Sequence, residues 1–488
     1  MDWLQAPDYW LARWVFERLL AAIYLVGFLV AANQFPALLG EHGLLPAPRF
    51  LRIATFREAP SLFHAHYSDR LLAVVAWIGM AVAGLLLLGV PQAGPAWLPM
   101  LAWLILWALY LSIVNIGQTF YAFGWESLLL EAGFLAIFLG PASSAPPSPI
   151  LWLLRWLLFR VEFGAGLIKI RHDPCWRNLT CLYYHHETQP MPNPLSWYFH
   201  RLPKLIHRLE VLGNHVAQLV VPFGLFAPQP VAGICGLIVL VHQVWLVLSG
   251  NFAWLNWVTL AIAFVAFDDG QLGLVLSIQH AALDPAAAWY MALVLLATAL
   301  LVGLSYWPAR NLVSRNQLMN FTYNPIHLVN SYGAFGSITR ERHEIVLEGT
   351  DDEHPTSSTV WKEYEFKGKP GDPRRRPPQV APYHLRLDWL MWFAAMSPSF
   401  ANAWFLPLVV KLLENDQPML KLLRHNPFPD RPPKSIRARL LHYRLTTWRE
   451  RRTTGAWWVR QPIGVYLPPV RLESSGEPEL VTTQADRL

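Results

Sequence analysis

Residues 155–194 read RWLLFRVEFGAGLIKIRHDPCWRNLTCLYYHHETQPMPNP. An apolar stretch here carries Arg155, Arg160, Glu162 and Lys169, then opens into a loop dense in Cys, His, Trp and Pro. Charge inside a membrane helix is expensive, so such groups face the protein interior or a water-filled cavity. Arg155, Glu162 and Lys169 are spaced by seven. Seven steps of a helix make about 700°, within about 20° of two turns, so the three form one stripe, with Gly166 beside it. The preceding apolar run adds Glu126 and Glu131, giving three positive charges (Arg155, Arg160, Lys169) against three negative (Glu126, Glu131, Glu162). One reading is a buried, mutually compensated network joining two helices, with Lys169 snorkelling to the interface. The other is a polar cavity in which Lys169, partly desolvated and so more easily neutral, acts as a base or nucleophile. Both fit the residues.

The loop admits several chemistries. Cys175 and Cys181 are separated by WRNLT, with no Gly or Pro to hold them apart. A segment of that size can bring Cα atoms within the roughly 4.4–6.8 Å of a disulfide. A local bridge and a pair of reduced thiols are both compatible with it. His172, His185 and His186 lie nearby, but no zinc-ligand spacing joins them to the cysteines, and no metal site is assigned. His185–Glu187 is HHE rather than HExxH, and no Cys-x-x-Cys marks a redox centre. GAG at 164–166 is too short for a phosphate loop and suits close helix packing. Asn178-Leu-Thr is a glycosylation sequon. Three prolines within ETQPMPNP hold the chain in an extended path. With Trp176, Tyr183, Tyr184, His185, His186, Glu187, Gln189 and Met191, the loop suits docking of another polypeptide, or packing at the bilayer interface.

The elements that carry these residues follow from composition. Of 488 residues, 54% are hydrophobic and 15% charged, well below the charged share of soluble domains, so the chain is an integral membrane protein. Apolar runs occur at 19–39, 71–90, 95–114, 125–140, 150–170, 211–226, 231–250, 252–267 and 286–307. The expected fold is a polytopic α-helical membrane domain of eight or nine helices over 1–308, with long loops at 40–70 and 171–210. A smaller α+β domain at 309–472 and a polar tail at 473–488 follow. Strands are expected at 346–348, 360–366 and 441–450, and helices at 386–396 and 403–414. The basic residues collect in alternate loops: Arg49, Arg52, Arg57 and Arg70 in the first, and Arg171, Arg177, Arg201, Lys204 and Arg208 after the fifth run. The positive-inside rule would make that face cytoplasmic.

At FGWESLLLEAGFLAIFL (123–139), GLIKIRHDPCWRNLTCLYYHHETQPMPNP (166–194), SGNFAWLNWVTL (249–260), NSYGAFGSITRERHEIVLEGT (330–350), the WKEYEFKGKPGDPRRRPPQVAPYHLRLDWLMWFAA stretch from Trp361, and NPFPDRPPKSIRARLLHYR (426–444), the chain resembles the lipase maturation factor family. The resemblance runs nearly end to end. It implies a multi-pass membrane chaperone that assists folding and assembly of secreted lipases or other exported polypeptides. It implies residence in the endoplasmic reticulum, or in the inner membrane of a bacterium, with the long loop and C-terminal domain on the lumenal or periplasmic face. That is the opposite of the charge rule. No cofactor and no nucleic-acid partner are expected; membrane lipid is. A fainter likeness, Lys169 followed by Asp173 and Trp176, is to the membrane domain of vitamin K-dependent carboxylases. It implies the alternative function, an integral-membrane enzyme with a polar centre around Lys169.

Overall fold

The computed structural model describes residues 4–473 and 478–481; most of the expected polar tail lies outside them. Among the described residues five helical segments are long and apolar enough to cross a membrane: Pro7–Leu39, Asp69–Leu88, Trp97–Asn115, Val231–Ser249 and Ala288–Val313. The first contains α1 (Trp10–Leu39), and the next two are α2 (Asp69–Leu88) and α3 (Trp97–Asn115). Helix α2 starts where the Ser68 hydroxyl accepts from the Leu71 amide and stops at Gly89, whose φ of 80° is left-handed. The other apolar runs give α4 (Gly124–Ala136), α5 (Ser148–Arg171), α7 (Lys204–Leu219) and α9 (Leu255–Ala263), with a short α6 (Leu182–Thr188) between α5 and α7. These are shorter, or carry charges that lower their hydropathy. Helices α8 (Val231–Ser249) and α10 (Ala288–Leu304) complete the set used below.

Side-chain exposure separates rim from centre. Val74, Trp77, Ile78 and Leu88 of α2 and Ile234, Leu237 and Val241 of α8 face outward, as lipid-facing residues do when no water drives them inward. Helices α4 and α5 are enclosed: α3, α5 and α9 pack on α4, and α7, α9 and α10 pack on α5. The small residues of the GAG segment permit this. A Cβ on Gly166 would meet Leu219 Cδ2 at 2.8 Å, and one on Gly164 would collide with the Tyr332 carbonyl.

The C-terminal region holds a five-stranded antiparallel sheet in the order β2-β1-β5-β6-β7 and a two-stranded pair β3-β4. Strand β1 (Arg342–Thr350) pairs with β5 (Ser435–Leu445) from Arg342↔Tyr443 to Thr350↔Ser435. The expected strand at 360–366 is broken into β2 (Lys362–Glu363) and β3 (Glu365–Phe366), the latter pairing with β4 (Leu423–His425). The strand expected at 441–450 ends at Leu445. Thr447 and Glu450 then form a capping box that starts the helix Trp448–Thr454 instead. Strand β6 (Trp458–Leu472) was not anticipated, because Pro462, Pro468 and Pro469 read as loop. Prolines are tolerated there because β7 (Pro478–Leu480) covers only Val470–Leu472 of its outer edge. Helices α11 (Arg386–Met396) and α12 (Phe405–Leu413) pack between sheet and membrane helices, and one hydrophobic core runs through all of them.

Candidate functional site

The six charges on α4 and α5 do not meet as one network; they divide among separate buried centres. Glu126 pairs with Arg386 at the start of α11, Oε1 to Nη1 2.8 Å, and accepts from the Tyr110 hydroxyl at 2.6 Å. The Arg386 guanidinium stacks on the Tyr121 ring at 3.3 Å and donates to the Phe120 carbonyl at 2.7 Å. Gln34 of α1 closes the joint, donating to the His384 carbonyl and accepting from the Arg386 amide. A buried guanidinium is thus matched by a carboxylate, the Tyr121 and Trp254 rings and a carbonyl, which offsets its desolvation. Arg386 was missed by sequence reasoning because its partner lies 260 positions away; an arginine at the start of a mostly apolar helix, two residues before Asp388, was the signal.

Glu131 pairs with Arg160 as the charge count suggested, and both are tied to residues beyond the membrane helices. Glu131 accepts from the Tyr332 hydroxyl at 2.8 Å and from the Asn330 amide at 3.0 Å, while Arg160 donates to the Asn330 carbonyl at 2.7 Å. Arg155 takes no part. Its Nε donates to the Val265 carbonyl, and its guanidinium lies over Tyr9 and Trp152. Its place on the stripe turns it toward a different neighbour because α5 is surrounded on several sides.

Glu162 and Lys169 line a cavity of about 90 Å³ among α5, α7, α8 and α9. Gln243 and Gln218 donate to the two Glu162 oxygens at 2.5 and 3.2 Å. Lys169 donates to Asn214 and Gln218, each at 2.9 Å, and its ammonium sits 4.8 Å from the Trp176 ring. Every proton of the ammonium therefore has an acceptor or a π face. The cavity is polar at one end and large enough for several waters or a small polar molecule.

The loop that follows is a joint between membrane helices and sheet. Cys175 and Cys181 form a disulfide with Cα atoms 4.8 Å apart. Arg342 of β1, wholly buried, donates to the carbonyls of Glu187, Gln189 and Pro190 and is balanced by Glu344. The Glu187 carboxylate accepts from the Leu445 amide, and the Trp392 indole donates to the Thr188 carbonyl. Gln189 donates to the Ser249 carbonyl. Trp176, His185, His186, Gln189 and Met191 are accordingly buried, and Tyr183, Tyr184 and Glu187 half-buried. The segment, which the sequence left open between docking and packing, is packed inside the joint. The prolines hold an extended path, but its polar backbone groups are claimed by Arg342 and Trp392, which pull it inward.

The open apolar surface lies beside it. A groove of about 720 Å³ runs between the loop, α4 and α11, lined by Phe123, Trp125, Met319, Trp389, Phe393 and Phe400 among others. Met396 and Phe400 at its mouth are 39% and 51% exposed.

Two family models match the chain: the lipase maturation factor transmembrane domain over residues 11–274, and the lipase maturation factor C-terminal domain over 328–468. Similar curated proteins include lipase maturation factor 1 of Mus musculus, 42% identical over 97% of this chain and 89% of the relative. Lipase maturation factor 1 of Homo sapiens is 42% identical over 96% and 89%. Lipase maturation factor 2 of Homo sapiens is 30% identical over 97% and 84%. No solved structure matches the chain.

Proposed function

The chain belongs to the lipase maturation factor family, and from that we propose that it is a membrane-embedded maturation factor for secreted lipases. In this reading an apolar segment of the immature lipase rests in the groove between α4 and α11 until the lipase has folded and assembled. The observation that carries the reading is the groove itself: an aromatic, open surface of some 720 Å³ in an otherwise closely packed joint. Large exposed apolar surfaces on folded proteins mark partner sites. The groove and loop face the lumen or periplasm. The Cys175–Cys181 bridge supports that side, because disulfides persist in oxidising compartments. The basic loops oppose it. A membrane domain over 1–308 and a second domain over 309–472 follow the same division of labour, anchor and client platform. Helix α5, with 24 residues, spans about 36 Å and is long enough for a sixth crossing. The remaining runs bring the count to eight or nine if each crosses.

The test is co-expression of the chain with a secreted lipase in cells lacking their own maturation factor. Met396→Asp and Phe400→Asp put charge at the groove mouth without touching the buried pairs. Secreted lipase activity is expected to fall at least about tenfold, the scale of one lost apolar anchor, with the level of the chain unchanged. Full activity with both substitutions would overturn the groove reading. A reaction centre at Lys169 is the second reading, carried by the cavity beside it. It requires that Lys169→Arg, which keeps the charge, abolish function while leaving the folded chain intact.

A further inference from the structure

A cluster outside the groove, at the edge of the Lys169 cavity that His186 and Glu210 also line, has the composition of a metal site. His186 on α6 and His207 and Glu210 on α7 each offer one ligand atom, a ring nitrogen or a carboxylate oxygen, and these atoms all lie within 4.8 Å of one another. His186 and His207 are each 2% exposed. Neither ring nitrogen of His186 has a hydrogen-bond partner. A buried imidazole with both nitrogens idle costs free energy that a single partner would relieve. Nothing on the apolar side supplies one, since the ring packs against Phe199 at 5.5 Å and His207 at 5.7 Å. The other two members are already organised. The His207 Nδ1–H donates to Glu210 Oε2 at 2.9 Å, and the Trp245 indole donates to Glu210 Oε1 at 3.1 Å. The indole holds the carboxylate still, as outer hydrogen bonds do for metal-bound carboxylates.

We propose that His186, His207 and Glu210 bind a zinc ion. Two imidazoles and one carboxylate are a ligand set that zinc takes, with a fourth, open position left for water. Tetrahedral ligands about 2.1 Å from the ion stand about 3.4 Å apart, so His186 draws inward by roughly an ångström on binding while the His207–Glu210 pair, 2.9 Å apart, opens by about half an ångström. The ion replaces the proton that His207 Nδ1 donates to Glu210, and that proton leaves to solvent. It joins α6, on the long loop, to α7. In that place it acts as a second staple beside the Cys175–Cys181 bridge and fixes the wall shared by the loop and the Lys169 cavity.

The experiment uses the purified full-length chain in detergent micelles, equilibrated with buffered zinc and then assayed for bound metal. One equivalent per chain is expected. His186→Ala and Glu210→Gln should each lose it, while His42→Ala and His425→Ala, at exposed positions, should keep it. Retention of the disulfide and a single elution peak establish that each variant is folded. If His186→Ala fails that check, the cobalt-substituted wild-type chain decides: intense ligand-field bands of a four- or five-coordinate N2O site support the proposal, and the pale spectrum of hexaaqua cobalt overturns it. Wild-type chain that binds no zinc, or zinc retained in both His186→Ala and Glu210→Gln, also overturns it and leaves a hydrogen-bonded histidine cluster only.

Discussion

At the scale of single residues, the buried charges are matched one by one, and each match has a measurable consequence. Arg386→Met strands the Glu126 carboxylate beneath α11. Removing one partner of a buried pair costs about 3–5 kcal/mol, because the other charge keeps its desolvation penalty and loses its compensation. The double variant Glu126→Leu with Arg386→Met removes both penalties and is expected to recover most of the loss; unfolding of the four proteins in a double-mutant cycle measures it. Neutral buried histidines act in the same sense as paired carboxylates, both losing their contribution as pH falls. Burial pushes His327 down to about 4, from an ordinary value near 6.5. Its folded value lies below its unfolded one, so its contribution is fully present above about 6.5 and is lost as pH falls toward 4. Between those values the unfolded chain binds the proton and the folded chain does not, and stability rises with pH. At pH 5 the loss is about 2 kcal/mol. His327 hydrogen-bonds Ser127 and Asn115, so His327→Gln will carry its own offset. The change of stability between pH 7 and pH 5 should nevertheless be about 2 kcal/mol smaller in the variant. Parallel curves would show that His327 does not titrate differently on folding.

At the scale of elements, what was legible in the sequence was what depends on nearby residues. Helix α11 was readable from its own apolar residues and the long helices from their hydropathy. A compensated set of charges on α4 and α5 was readable from their balance, though not that Glu131 pairs with Arg160 while Arg155 stands apart. The Cys175–Cys181 pairing was open as one of two alternatives, since six positions of separation allow a bridge without requiring it. The partner of Glu126 was not legible, nor was the burial of the 185–191 segment by Arg342. Both rest on contacts across more than 150 positions, and composition holds no record of those. Strand β6 was hidden by its prolines, which say that an edge is free but not that a strand exists. The disulfide yields a prediction here. It closes a short loop, so its effect on the unfolded chain lies near the low end of the usual range, about 2–3 kcal/mol. Cys175→Ser with Cys181→Ser should lower stability by that amount, read as a shift of the unfolding midpoint. It should also loosen the Trp176 side of the Lys169 cavity, read as faster proteolysis within 171–203. A double variant as stable as the parent would mean that the packing of Trp176 and Ile338 already fixes the path.

At the scale of the whole molecule, the membrane helices and the C-terminal sheet complete one another. Glu126 is neutralised from Arg386, and Glu131 is held by Asn330 and Tyr332 as well as by Arg160. Arg342 fills the backbone acceptors of the loop that leaves α5. A chain ending at residue 327 would keep every long apolar helix, yet it would leave Glu126 without its cation, Glu131 without two donors and the 187–190 carbonyls without theirs. Each unpaired charge costs several kcal/mol and each orphaned polar group about 1–3. Their sum is comparable to the whole stability of an ordinary domain, about 5–15 kcal/mol. The 1–327 fragment is therefore expected to insert but not to fold, with low steady-state abundance and protease sensitivity through 171–203. Co-expression of residues 328–488 as a separate chain should restore it, because the contacts are noncovalent. The same fragment with Glu126→Gln, which removes the stranded charge, should be partly rescued on its own, while Glu131→Gln should not help, because it strands Arg160. Abundance and protease resistance equal to the full chain in the unmodified fragment would mean that the buried carboxylates find water or lipid-side partners without the sheet. The coupling described between the two halves would then not govern stability.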